Sequence, residues 1–252
     1  MNRRMLIAGN WKMNVMNSDG LALAKGLADK IKTVEDTLFE MLVCPPYTLI
    51  SSVIDVSLNT NLSVGAQNCH TLKQGPHTGD ISAAMLKDLG CSYVIVGHSD
   101  RRSMHGETDF DILCKANMAI DADLKTIICV GETEDERNTE NTLKVVKNQI
   151  LGSVPDNATA KNTVVAYEPV WAIGSGRTPT IEEVQKVHSA IRSLLAQKLG
   201  EDTADGIRLL YGGSMNAKNA KEFLSLPDVD GGLVGGASLK VDEFWAIGQS
   251  CS

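Results

Sequence analysis

Eight short apolar runs are spaced along the chain, and the stretches between them carry apolar residues at every third or fourth position. The runs are RMLIAG (4–9), LFEMLVC (38–44), NLSVGA (61–66), SYVIVG (92–97), TIICVG (126–131), TVVAYE (163–168), IRLLYG (207–212) and DGGLVG (230–235). Short β-rich runs of this kind, ended by turn residues, predict strands. Leu21, Ala24, Leu27, Ala28 and Ile31 line one face of a predicted helix. Ile181, Val184, Val187, Ile191, Leu194 and Leu195 line another, opened by the Thr180/Glu183 capping box and closed by Gly200. A shorter helix, Ser82 to Leu89, follows a long polar loop from Gln67 to Gly79. Eight strands alternating with helices over residues 1–252 predict an α/β chain folded as a single-domain (β/α)8 barrel. A doubly wound open sheet is the structural rival. No Pro-rich, low-complexity or charged linker divides the chain.

The stretch YEPVWAIGSGRTPT breaks this rhythm. Pro169 cannot donate to a sheet ladder, so the strand ends near Glu168. About ten residues then precede the capping box, longer than a minimal strand-to-helix turn. Val170, Trp171 and Ile173 are apolar while Gly174 and Gly176 are permissive, the composition of a segment that moves and covers something. A lid over about 169–177, with a carboxylate at its base, is the expectation.

The polar residues that carry chemistry fall beside strand ends. Asn10 and Lys12 follow the first run, His98 the fourth, Glu168 the sixth, Ser214 the seventh, and Gly235 and Gly236 the eighth. In a barrel these positions form one rim, the C-terminal face that holds active sites. Alternation along a strand points Asn10 and Lys12 one way and Trp11 the other. Singly, each residue has a plainer reading: Lys12 as a solvated lysine, His98 as a structural histidine, the glycine pairs as tight turns. Glu168 closes an apolar run, and burial there would raise its pKa above the free value of about 4.3.

Composition narrows the function. Apolar residues make up 43% of the chain, enough for a large core, and the net charge of −7 argues against nucleic-acid binding. No run approaches a membrane span, and the apolar stretch at Met5 to Ala8 is too short for a signal peptide. Six cysteines without CxxC pairing suit a reduced, cytoplasmic protein. His70, His77, His98, His105 and His188 lack metal-motif spacing and no acidic cluster joins them, so no metal is expected. No GxGxxG follows a strand, so no dinucleotide cofactor is expected either.

AGNWKMN (8–14), VGHSDRR (96–102), CVGE (129–132), YEPVWAIGSGRTPT (167–180), YGGS (211–214) and GGLVGGASL (231–239) together resemble the triosephosphate isomerase family, in order and over nearly the whole chain. The resemblance implies a TIM barrel that interconverts dihydroxyacetone phosphate and D-glyceraldehyde 3-phosphate without a cofactor. Glu168 matches the family's base and His98 the neutral imidazole that polarises the carbonyl. Lys12 matches the cation near the developing oxyanion, and Asn10 adds a hydrogen bond. The substrate phosphate is expected on backbone N–H groups of Gly174, Ser214, Gly235 and Gly236. The family's homodimer is built by the Gln67–Gly79 loop, with Thr78 near the partner's site.

Several positions depart from the family pattern. Asp100 stands where Glu is usual, one methylene shorter, so its contact with Lys12 is expected to be lost or water-mediated. Arg177 replaces a hinge lysine, and Pro76–His77 replaces a common Ala–Phe pair. Two other functions remain in view: a catalytically silent phosphosugar-binding barrel, and a Schiff-base aldolase using Lys12.

Overall fold

The computed structural model describes residues 3–34 and 37–251. Its strands are β1 (Met5–Asn10), β2 (Phe39–Cys44), β3 (Leu62–Ala66), β4 (Tyr93–Val96), β5 (Lys125–Val130), β6 (Thr163–Tyr167), β7 (Arg208–Tyr211) and β8 (Gly231–Val234). Each pairs in parallel with the next, and β8 returns to β1 through Leu6↔Gly231 to Gly9↔Val234. The sheet is therefore a closed barrel, not the open doubly wound rival. Closure leaves no free sheet edge, and helices cover the outside.

Strand alternation sorts the side chains into layers. Leu6, Ala8, Leu42, Tyr93, Ile95, Ile127, Val164, Ala166, Leu210 and Leu233 fill the barrel interior. Their strand neighbours, such as Ile7, Met41, Val43, Val94, Val96 and Val165, face outward and pack under the helices. Truncating one such buried Leu or Ile to Ala removes about 2–5 kcal/mol. At the barrel floor Arg208 donates to Glu40 at 2.8 Å and to the Tyr93 hydroxyl at 2.7 Å.

The first predicted helix forms as Asn17–Lys32 without a side-chain cap, and the other two begin at theirs. Ile181–Leu199 starts at a complete Thr180/Glu183 capping box and stops at Gly200. Ala83–Leu89 starts at Ser82, whose hydroxyl accepts the Met85 N–H. Among the described residues no helix is long and apolar enough to cross a membrane. All six cysteines are free thiols, five of them buried, including Cys251.

Candidate active site

The strand ends bring the predicted residues to one cleft. Asn10, Lys12, His98, Glu168, Gly174, Ser214, Gly235 and Gly236 all line a cavity of about 570 Å³ on the C-terminal rim. Trp11, between Asn10 and Lys12, is fully buried in the outer core, so the alternation holds through the end of β1. Lys12 takes a left-handed backbone with φ 52°. The Asn10 side chain supports that turn, its Oδ1 accepting the Lys12 N–H at 3.0 Å.

Glu168 is 2% exposed and sits one residue past β6. Its carboxylate is fully occupied: Oε1 lies 2.8 Å from His98 Nε2, and Oε2 accepts the Ser99 N–H at 3.0 Å. Burial pushes the Glu168 carboxyl up, but the His98 ring, the Ser99 amide and the Lys12 ammonium outweigh it and hold it below the usual range. The rise expected from burial alone is thus corrected, because two donors compensate the desolvation.

His98 precedes the short helix Ser99–Met104, and its Nδ1 accepts the Asp100 N–H at 3.1 Å. That bond requires an unprotonated Nδ1 and fixes the neutral tautomer with its hydrogen on Nε2, toward Glu168. Burial pushes the imidazole down while the Glu168 and Asp100 carboxylates pull it up, with a net rise in this conformation. The two observations pull apart. The backbone bond decides the tautomer, and the rise lasts only while Glu168 stays against the ring.

Lys12 Nζ meets Asp100 Oδ2 at 3.1 Å. The expected loss of this contact is therefore wrong: the shorter Asp side chain reaches because it projects from the first turn of the helix beside His98. The rest of the cleft is lined by Gly174, Ser214, Gly235 and Gly236, with Glu243 also on its wall. There the chain passes from β8 into a 3-10 turn, Gly236–Leu239, and a Cβ placed on Gly236 would meet nothing within 4 Å. Small residues leave such backbone amides open to an anion.

The segment after Glu168 is anchored through the buried Trp171 and exposed at its tip, where Arg177 pairs with Glu134. Trp171 is buried, its Nε1 donating to Glu132 Oε1 at 2.9 Å, and the Tyr167 hydroxyl also reaches Glu132. The Arg137 guanidinium stacks 3.7 Å over the Trp171 ring, and Arg177 donates to the Trp171 carbonyl at 3.1 Å. Residues 174–178 are exposed, with Gly174 and Gly176 at positive φ.

Sequence reasoning missed several partners. Glycines flank Glu168: a Cβ on Gly131 would lie 1.7 Å from the Glu168 carbonyl oxygen, and one on Gly212 would lie 2.8 Å from its Cγ. The Ser99 amide and the buried Glu132 carboxylate also went unread, although the CVGE and YGGS motifs contain Gly131, Glu132 and Gly212. The fold also gathers His70, His77 and Asp80, which their spacing did not announce.

The family model for triosephosphate isomerase matches residues 5–251. The triosephosphate isomerase of Rhodopseudomonas palustris (strain BisA53) is 50% identical, covering 98% of each chain. That of Jannaschia sp. (strain CCS1) is 51% identical over 97% of this chain and 96% of its own. The crystal structure of triosephosphate isomerase from Bartonella henselae superposes with a TM-score of 0.91 at 44% identity, covering 98% of each chain. With the family model matching residues 5–251, relatives about half identical along nearly their full length and a solved structure that superposes throughout, this chain belongs to the triosephosphate isomerase family.

Proposed function

We propose that the protein interconverts dihydroxyacetone phosphate and D-glyceraldehyde 3-phosphate, with Glu168 as the base that carries the proton. The observation that carries this reading is the single cleft holding a buried carboxylate, an imidazole and an ammonium at one end and open glycine amides at the other. The reaction takes a proton from the carbon beside the carbonyl and returns it to the neighbouring carbon. The C–H electron pair moves toward the carbonyl oxygen, giving an enediolate. A carboxylate is too weak a base for this unless that oxygen is stabilised as charge develops.

His98 supplies the stabilisation. Its Nε2 hydrogen, now directed at Glu168, is donated instead to the substrate oxygen. Substrate and base thus compete for one hydrogen, and Glu168 turns to the substrate carbon as the carbonyl takes its place. With the carboxylate gone, the main partner raising the imidazole's basicity is gone, and the ring acts as a neutral donor. This division between carboxylate base and neutral imidazole is the established one for triosephosphate isomerases. Lys12, held at the rim by Asp100, adds positive charge beside the same oxygens, and Asn10 adds a hydrogen bond.

The phosphate rests on the amides of Gly174, Ser214, Gly235 and Gly236. Binding there draws the 169–177 lid down at Gly174, excluding water and holding the enediolate away from phosphate loss. No cofactor takes part in these steps. A Schiff-base reaction suits the cleft less well, since Lys12 is engaged with a carboxylate and an imine needs a free amine.

The active form is a homodimer built through the Gln67–Gly79 loop, with Thr78 near the partner's site, and it works in the cytoplasm. Exposed Met13, Met16 and Leu72 near this end of the barrel favour an interface, and the free thiols favour a reducing compartment. Sedimentation velocity showing only monomer at micromolar concentration contradicts the assembly.

A coupled isomerase assay tests the reading. Wild type turns over, and Glu168→Gln loses about 10³-fold or more in kcat, because a neutral amide cannot accept the proton. Equal activity in the variant refutes Glu168 as base.

A further inference from the structure

We propose, on the reading of Glu168 as the base, that a cavity behind it is the route by which its proton exchanges with solvent, with Ser99 as the relay. Glu168 lines two separate cavities. One is the catalytic cleft. The other, of about 260 Å³, lies between the helix Ser99–Met104 and the turn after β5, where Ser99, Cys129, Gly131, Thr133 and Gln149 are among its walls. Glu168 is the only residue that lines both. No residue of the Gln67–Gly79 loop borders the second cavity.

Ser99 joins the carboxylate to this cavity. Its N–H donates to Glu168 Oε2 at 3.0 Å. Its hydroxyl is buried and has no hydrogen-bond partner among the described residues. An unpaired buried hydroxyl costs about 1–3 kcal/mol, so one placed beside a carboxylate and a cavity gains from pairing with either. Rotation of χ1 between staggered wells carries the hydroxyl from one to the other.

The cavity suits water. It far exceeds the roughly 10–15 Å³ that a single molecule needs. Polar groups continue outward from Ser99 to Ser103 and Thr133, both exposed at the mouth. Gln149 braces the wall, its Oε1 accepting the Gly131 N–H at 2.7 Å and its Nε2 donating to the Gly131 carbonyl at 3.2 Å.

Closure of the lid covers the front of Glu168 with substrate and apolar side chains and leaves the back open. Val170 is the one lid residue in the second cavity's lining. Its N–H donates to the Glu132 carbonyl at 3.0 Å, at the anchored end of the segment, so movement at Gly174 does not seal the cavity.

The exchange conserves atoms and charge. After abstraction the carboxyl holds the substrate's hydrogen, and rotation about χ3 turns it toward Ser99. The carboxyl O–H bond breaks as an O–H bond forms at Ser99 Oγ, whose own hydrogen passes to a cavity water. In D₂O the carboxylate left behind takes a deuteron along the same chain in reverse. That deuteron is then delivered to the second carbon.

The test is isomerisation of dihydroxyacetone phosphate in D₂O, with the D-glyceraldehyde 3-phosphate oxidised as it forms. NMR reads deuterium against hydrogen at the second carbon. This ratio compares two fates of one intermediate, so a change in kcat does not enter it. Ser99→Ala keeps the backbone donor and should lower the ratio at least about threefold, while Ser99→Thr, which restores a hydroxyl, should recover most of it. Ser103→Leu narrows the mouth from the exposed side and should lower the ratio as well. An unchanged ratio in folded Ser99→Ala or in Ser103→Leu overturns the exit and leaves Glu168 as base, the result expected where exchange runs through the open cleft. Wild type that fails to isomerise removes the underlying reading instead.

Discussion

Replacing Gly212 by alanine is expected to impair turnover while leaving substrate binding nearly intact. The added Cβ would lie 2.8 Å from Glu168 Cγ and 3.1 Å from the Tyr167 carbonyl oxygen. Carbon atoms in contact settle at about 3.5–4.0 Å, so one of these neighbours retreats by about 1 Å. The carbonyl is held in place by the Gly212 N–H at 2.7 Å, whereas the Glu168 side chain can rotate. The base therefore moves. A displacement of about 1 Å at a reacting group costs about 100-fold, or about 2.7 kcal/mol of barrier. Gly212 lies outside the left-handed region, so alanine adds no backbone strain, and overpacking costs about 1–3 kcal/mol of stability. In a steady-state coupled assay kcat should drop about 30- to 100-fold. KM should stay within about threefold, because the amides at the far end of the cleft are untouched. A folded Gly212→Ala enzyme with kcat within about threefold of wild type refutes the claim that this glycine sets the position of the base.

His188 and Arg208 give two further expectations. His188 is fully buried with Nδ1 2.9 Å from the Asp228 carbonyl, and burial pushes it down to about 4 from an ordinary 6.5. A depressed imidazole means the unfolded chain takes up the proton first, so stability is complete above pH 6.5 and is lost as pH falls toward 4. Across that interval, at 1.36 kcal/mol per pH unit, about 3 kcal/mol is lost. His188→Asn keeps the donor to Asp228 and does not titrate, so denaturant titrations at pH 7 and pH 4.5 should show a smaller decline; an identical decline contradicts this. Arg208→Ala strands the part-buried Glu40 at the barrel floor and should cost about 2–3 kcal/mol in chemical denaturation, after allowance for Glu40's partial exposure. A cost below about 0.5 kcal/mol would show that the floor network is dispensable.

Much of this architecture was legible because it rests on local rules. Strand alternation separated Leu6 and Ala8 from Ile7, and the Thr180/Glu183 box and Gly200 marked both ends of a long helix. Run RMLIAG was offset by one residue from β1, since hydrogen bonding to β2 and β8 decides where a strand ends. The rim residues were legible for the same reason: a polar residue just past an apolar run lies at a strand's C-terminal end. What stayed hidden depends on distant parts of the chain meeting. No spacing rule sets Ser99 against Glu168, turns Asp100 toward Lys12, or reveals that donors outweigh burial at Glu168. Gly131 and Gly212 read as ordinary turns until the backbone beside them is seen, and His70, His77 and Asp80 converge only through loop turns.

The most direct measurement of the central claim is isomerisation of dihydroxyacetone phosphate in D₂O, followed by NMR. If the buried carboxylate lifts a proton from one carbon and delivers it to the next, delivery competes with exchange of the Glu168 carboxylic proton into D₂O, so product formed early carries a mixture of hydrogen and deuterium at its second carbon. Glu168→Gln should give neither product nor exchange at more than about a thousandth of the wild-type rate. Isomerisation or exchange that continues undiminished in the variant would contradict proton transfer by Glu168.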